Sequence, residues 1–203
     1  WKLVFSSSKD QPNNQGLALV AKYLPAVVKY YIQMCDADNH VVREGACQAL
    51  AELATKLGNS SSGQDDDDVD YRSKLQPHVE AMLQALIMCF FDESWPVRDE
   101  ACLACGLLVR SFPNDCRAEL PRLWERWTNQ LRDPIWSVRQ DAAVALGDAI
   151  LAYGTTYRDQ VLDLIREWLP LARQQPRMTR EEYKKLQKEI EFLKVYNIHY
   201  FDE

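Results

Sequence analysis

WSVRQDAAVALGDA, residues 136–149, decides the fold together with two related stretches, HVVREGACQALAEL at 40–53 and WPVRDEACLACGLL at 95–108. The three align on a Val-Arg pair. Counted from Val42, Val97 and Val138, the fourth residue on is Ala46, Ala101 and Ala142, and the seventh is Ala49, Ala104 and Ala145. The eighth is Leu50, Cys105 and Leu146, and the eleventh is Leu53, Leu108 and Ala149. Steps of about four, three, one and three residues keep to one face of an α-helix. Three copies of that face in one chain predict a repeat of helical units.

A second amphipathic stretch stands before each copy: LALVAKYLPAVVKYYIQMC, LQPHVEAMLQALIMCFF and ELPRLWERWTNQL. Pro25 and Pro121 each lie 17 residues before the following Val, and Pro77 lies 20 before its own. Each unit therefore reads as helix A, a turn and helix B. Asp133-Pro134 reads as an N-cap followed by Pro at the first helical position, where no amide hydrogen is missed. Gly58 and Gly154 read as helix ends that use glycine's left-handed freedom, and Pro113 stops the second helix B. Small alanines along helix B predict close approach of a neighbouring helix.

The Pro in helix A, the Asp in the turn and the Val-Arg with spaced alanines in helix B resemble the HEAT repeat. The resemblance covers residues 17–154 in three units. A degenerate fourth follows, with YRDQVLDLIREWLPLARQQ as helix A and TREEYKKLQKEIEFLKVYN as helix B, the latter opened by a capping box of Thr179 and Glu182. The resemblance implies an all-α, right-handed α-solenoid of about four HEAT-like helix pairs forming one domain over 1–203. The units fall at about 17–58, 75–112, 115–154 and 156–196. Val42 to Val97 spans 55 residues and Val97 to Val138 spans 41, so the first interval holds an insertion, the acidic stretch 59–74. The start, WKLVFSSSKD, predicts a piece of a longer chain.

Of 203 residues, 47% are hydrophobic and 27% charged, a composition that can bury a core. No apolar run reaches the roughly 18–20 residues that cross a bilayer, so no membrane insertion is expected. Of 24 Lys/Arg and 30 Asp/Glu, residues 1–100 carry 9 and 15, and the remainder 15 and 15. Neither half has the positive excess that a phosphate backbone attracts, which sets nucleic acid behind protein partners. Six cysteines without a paired CxxC or a His pair predict buried free thiols rather than zinc or disulfides. The Cys102/Cys105 pair reads as helix interior. A reducing, intracellular setting follows, cytoplasmic before nuclear.

Arg43, Arg98 and Arg139, with Asp92 and Asp133 five residues before the second and third Val, form a candidate ladder. The HEAT resemblance implies that turn aspartates pair with arginines of an adjacent repeat; the alternative is an anion site. His40, Trp95 and Trp136 occupy one position of the turn and mark either packing between turns or a contact ridge. Tubulin-binding TOG domains, similar to HEAT arrays, place an aromatic in such a turn. This chain has few basic turn residues beside it. Glu44, Gln48, Asp99, Gln140 and Asp148 on helix B predict an acidic-polar face for basic partner segments. Asp65–Asp68 with Asp70 lacks the Gly and Glu of an EF-hand loop and reads as a solvated loop. Ser60, Ser61 and Ser62 beside it are candidate sites for an acid-directed kinase. Tyr183, Leu186, Ile190 and Leu193 give the last helix one apolar stripe, for packing on the preceding helix or docking to a partner.

No phosphate-binding glycine motif, metalloprotease motif or nucleophile with its base is present. The chain has no His-Glu dipeptide of the kind HEAT-like metal hydroxylases repeat, and no cofactor is implied. The expected function is a non-catalytic protein–protein scaffold or adaptor working within a complex. The alternative is a structural segment of a larger assembly. A HEAT-like nucleic-acid-binding or DNA-glycosylase protein, which would use Trp136 and Arg139, comes last.

Overall fold

The computed structural model of the chain describes residues 14–58, 70–133, 135–174, 179–182, 184, 185 and 188. Every regular element among them is helical. In chain order these are α1 (Asn14–Lys22), α2 (Leu24–Met34), α3 (His40–Gly58) and α4 (Tyr71–Leu75). After a 3-10 turn at Gln76–His78 come α5 (Val79–Cys89), α6 (Trp95–Ser111), α7 (Pro113–Cys116), α8 (Leu120–Gln130), α9 (Trp136–Tyr153) and α10 (Thr155–Gln174).

The helical stretch before each of α3, α6 and α9 is built in two pieces, and proline explains where it divides. Pro25 and Pro121 lie in the first two positions of α2 and α8, and Pro77 in those of the 3-10 turn before α5. Proline lacks an amide hydrogen and collides with the carbonyl one turn back, so a helix starts there more readily than it passes through. The first pieces are α1, α4 and α7. In α10, Pro170 stands inside a continuous helix instead.

Helix B is α3, α6 and α9. Each packs on the helix A of its own unit, and α6 packs along α3 on one side and α9 on the other. Every residue at the fourth, seventh, eighth and eleventh positions after the Val is at most 2% exposed, so the sequence period and the core face coincide. Small side chains let these helices approach. A Cβ on Gly106 would meet Ala145 Cα at 2.8 Å, so α6 and α9 touch almost backbone to backbone.

Several sequence expectations change. Val97 and Val138 are buried, but Val42 is 39% exposed. A preceding helix B covers the first two, whereas no described helix B precedes α3. Asp133 is not the N-cap of α9: the helix starts at Trp136, its N-cap is Ile135, and Asp133 makes a turn before it. Gly154 has φ +94 and ends α9 in the left-handed region, where its N–H donates to Ile150 O at 2.8 Å. Gly58 ends α3 without positive φ. Its demand is for space, since a Cβ there would lie 2.7 Å from the Phe112 ring.

Helical structure begins before residue 75, within the stretch expected to be an insertion. Asp70 caps α4, its side chain accepting from Ser73 N at 3.0 Å and also from the Ser73 hydroxyl. Residues 70–74, assigned to the insertion, are a cap and a helix. Ser60, Ser61, Ser62 and Asp65–Asp68 lie outside the described residues, as do Tyr183, Leu186, Ile190 and Leu193. At the start of the last segment, Thr179 Oγ1 accepts from Glu182 N at 3.2 Å, and Glu182 Oε2 accepts from Thr179 N at 2.7 Å. This is a reciprocal capping box. Among the described residues no helix is long and apolar enough to cross a membrane.

Candidate functional site

Short polar side chains shape the A-to-B turns. Asn39 Oδ1 accepts from Val41 N at 2.9 Å, Asp92 Oδ1 from Ser94 N at 2.8 Å, and Asp133 Oδ1 from Ile135 N at 2.8 Å. Such bonds replace a turn amide's lost partner and reverse the chain. The arginine after each Val then reaches back over its own turn. Arg43 Nη1 donates to the carbonyls of Ala37 and Asp38 at 2.8 and 3.0 Å. Arg98 Nη1 reaches those of Asp92 and Glu93 at 2.5 and 3.1 Å, and Arg139 Nη1 that of Asp133 at 2.5 Å. This clamp within each unit, on carbonyls that the end of helix A leaves without amides, is the part of the arginine pattern that sequence reasoning missed.

Across units the arginines differ. Arg43 and Asp92 meet in a two-pronged pair, Nε to Oδ2 at 2.6 Å and Nη2 to Oδ1 at 2.8 Å, with side chains only 10% and 9% exposed. That hydrogen bonding raises the Arg43 pKa above its usual value against the opposing effect of burial. Burial lowers the Arg98 pKa against the opposing charges of Asp133, Asp99 and Asp92. Its buried Nη2 makes no hydrogen bond among the described residues.

A groove of ≈ 840 Å³ opens over the Arg43–Asp92 pair, between the first two turns and the helices α2 and α5. Ile32, Ala81, Ala85 and Met88 supply its apolar surface. The exposed carboxylates of Asp36, Asp38 and Glu93 stand along its rim. Met88 is 70% exposed and Phe91 54%. The Arg126 guanidinium from α8 lies 3.8 Å from the Phe91 ring centroid, so the next unit holds one wall. Among the described lining residues the one basic side chain, Arg43, is paired with Asp92, and the Arg126 guanidinium lies against Phe91, so the carboxylates of Asp36, Asp38 and Glu93 stand over the apolar surface.

Beneath the groove three thiols converge. Cys35 is the C-cap of α2, Cys47 lies within α3, and Cys89 is the last residue of α5. Their sulfurs lie within 4.8 Å of one another, and all three residues are buried. Cys89 Sγ donates to Cys35 O at 3.7 Å. Hydrogen bonding from Cys35 and Cys47 lowers the Cys89 pKa, whereas contacts with Cys35 and Cys89, and burial, push Cys47 up. All six cysteines are free and buried. Burial pushes Cys116 up to about 12 and raises Cys102 and Cys105 well above an ordinary thiol.

The predicted helix B face is rearranged. Asp99 and Asp148, expected at the surface, are each 7% exposed. Asp99 Oδ2 accepts from Ser137 Oγ at 3.0 Å, and Asp148 Oδ1 from Arg110 Nη1 at 2.9 Å, so both tie α6 to α9 rather than offering a contact face. Their positions turn inward because α6 and α9 lie so close. Gln48 and Gln140 are exposed and Glu44 is half-buried. Glu100 and Asp141, which sequence reasoning did not select, are half-buried, and both Glu44 and Asp141 lie near Glu100. Burial, and then the charges of Glu44 and Asp141, raise the Glu100 pKa against a hydrogen bond from Gln48. The mutual spacing of these acids on three helices had no signal along the chain. His40 is exposed, and Trp95 and Trp136 are 37% and 55% exposed, at the starts of α3, α6 and α9. No family model matches the chain, and no curated protein matches it.

Proposed function

We propose that the chain is a HEAT-like α-solenoid, a right-handed array of about four helix pairs that works as a non-catalytic protein–protein scaffold. The packing of α6 between α3 and α9, each helix B also resting on its own helix A, supports that architecture, because each unit buries its small-residue face only against a neighbour. The observation that carries the function is the groove at the first two turns, whose apolar floor lies under Asp36, Asp38 and Glu93. Its chemistry fits an amphipathic partner segment with Lys or Arg along its polar side. His40, Trp95 and Trp136 extend the same turn edge, and Glu44, Glu100 and Asp141 add an acidic second surface on helix B.

The test is partner capture with in-cell cross-linking, comparing the unmodified chain with Met88→Glu and with Asp36→Lys/Glu93→Lys. Partners bound through the groove are lost from both variants and retained by Gln48→Lys on the helix B face. Retention of every partner by the Met88 and Glu93 variants, with helicity unchanged, would remove the groove from the account.

A second reading, a structural segment of a larger assembly, draws on α10. Leu162, Ile165 and Leu169 are 39%, 43% and 42% exposed and recur at helical spacing. Sedimentation separates the two. Association that Ile165→Glu abolishes favours the segment, and a monomer at all concentrations favours the free-standing scaffold.

A further inference from the structure

From the cysteine trio we infer a metal site: Cys35, Cys47 and Cys89 hold one thiophilic divalent cation, zinc, with three thiolates and a fourth position open to the groove. Three sulfurs from three separate helical elements approach within 4.8 Å of one another. At that upper limit an ion centred between them would lie about 2.8 Å from each sulfur, against about 2.3 Å for a zinc–thiolate bond. A shift of about half an ångström in each side chain therefore closes the site, within the reach of a rotamer adjustment. Access exists, because Cys35 and Cys89 both line the groove while Cys47 stands behind them. The groove also explains the fourth position, where solvent or a donor atom of a bound partner completes a tetrahedron.

Charge favours a divalent ion. Three thiols lose three protons on binding, so zinc leaves a net single negative charge, whereas monovalent copper would leave two in the same buried volume. Asp92 opposes a thiolate at Cys89 and the Arg43 guanidinium paired with it offsets that opposition. Binding removes the Cys89 bond to Cys35 O, a weak sulfur contact. Cys35 and Cys47 belong to the first unit and Cys89 to the second, so the ion would staple the boundary that Arg43 and Asp92 also join. The remaining buried thiols, Cys102, Cys105 and Cys116, are outside this cluster.

The test uses the whole chain, reduced and stripped of metal, then titrated with Co(II) and with zinc. Expected are one equivalent of either ion, a sulfur-to-cobalt charge-transfer band with tetrahedral d–d bands, and a rise in melting temperature with zinc. Zinc also slows alkylation of Cys35 and Cys89, the two thiols on the groove. Cys47→Ser weakens zinc binding by at least about 100-fold, and Cys105→Ser leaves it unchanged. The titration and alkylation of the unmodified chain stand without the variant should Cys47→Ser fail to fold. Absence of a thiolate–cobalt band in the reduced wild-type chain overturns the proposal. So do equal zinc uptake by Cys47→Ser, and uptake of Cu(I) alone.

Discussion

At the boundary between the first and second units, Arg43 and Asp92 meet as a buried two-pronged pair. At the next boundary the equivalent Arg98 and Asp133 attract each other without meeting, and Arg98 Nη2 has no hydrogen bond among the described residues. Other bonds join these units: Ser137 to Asp99, Arg110 to Asp148, and the near-contact of Gly106 with Ala145. One sequence motif therefore reaches two outcomes. Its local half, an arginine clamped on its own turn, recurs in all three units because every atom involved lies within six residues. Its long-range half depends on how far apart two turns are held, and helix packing decides that distance.

The sharpest way to break this comparison is to remove each aspartate. Asp92→Ala leaves Arg43 buried without its partner and should destabilise the chain by about 3–5 kcal/mol. Asp133→Ala removes a turn bond and a longer-range attraction to Arg98 and should cost about 1 kcal/mol. Urea midpoints of the two variants measure this, and equal shifts would mean that the boundaries do not differ as described. Next in size is the close approach at the second boundary. Gly106→Val should destabilise by about 2–3 kcal/mol, since the backbone it meets has no free space. Gly45, with nothing within 4 Å of a built Cβ, is the counterpart: Gly45→Ala should stabilise α3 by about 0.5 kcal/mol.

Asp99 makes the second boundary sensitive to acid in an unusual direction. Burial raises its pKa to about 6 from 3.8, against the lowering bond from Ser137. The folded chain therefore holds a proton that the unfolded chain has already released between about pH 4 and pH 6. This contribution is complete below the lower value and is lost as pH rises through the upper one. Stability should fall by about 1–2 kcal/mol across that window, discounted for partial solvent access. Asp99→Asn should flatten this slope, as denaturation at matched pH would show. A slope unchanged by the substitution would clear Asp99 of it. Outside both boundaries, Thr179→Ala removes the capping box and should speed amide exchange at Glu182 about fivefold, for about 1 kcal/mol of local order.

How much of this was legible differs by distance along the chain. The helical period of α3, α6 and α9 could be read because alanine and leucine repeat on one face, and those positions are buried throughout. The capping box could be read because Thr179 and Glu182 are three residues apart. Val42 misled because its sequence matches Val97 and Val138 while its neighbours do not. Asp99 and Asp148 misled because polarity alone placed them outside, whereas a partner on an adjacent helix bonds one carboxylate oxygen of each inside. The groove was visible only in part: its turn residues belonged to a predicted edge, but Met88 and Phe91 carried no period of their own.

By itself the sequence determined where proline divides the helices and which face of each helix B is apolar. These follow from backbone sterics, proline's missing amide and interactions spanning a few residues. Tertiary structure alone decided that Arg43 finds Asp92 while Arg98 does not find Asp133, and that Glu44, Glu100 and Asp141 share one surface. It also decided that Cys35, Cys47 and Cys89 meet. Those outcomes rest on the separation of whole helices, which is set by the summed volumes of many small side chains and written in no single stretch.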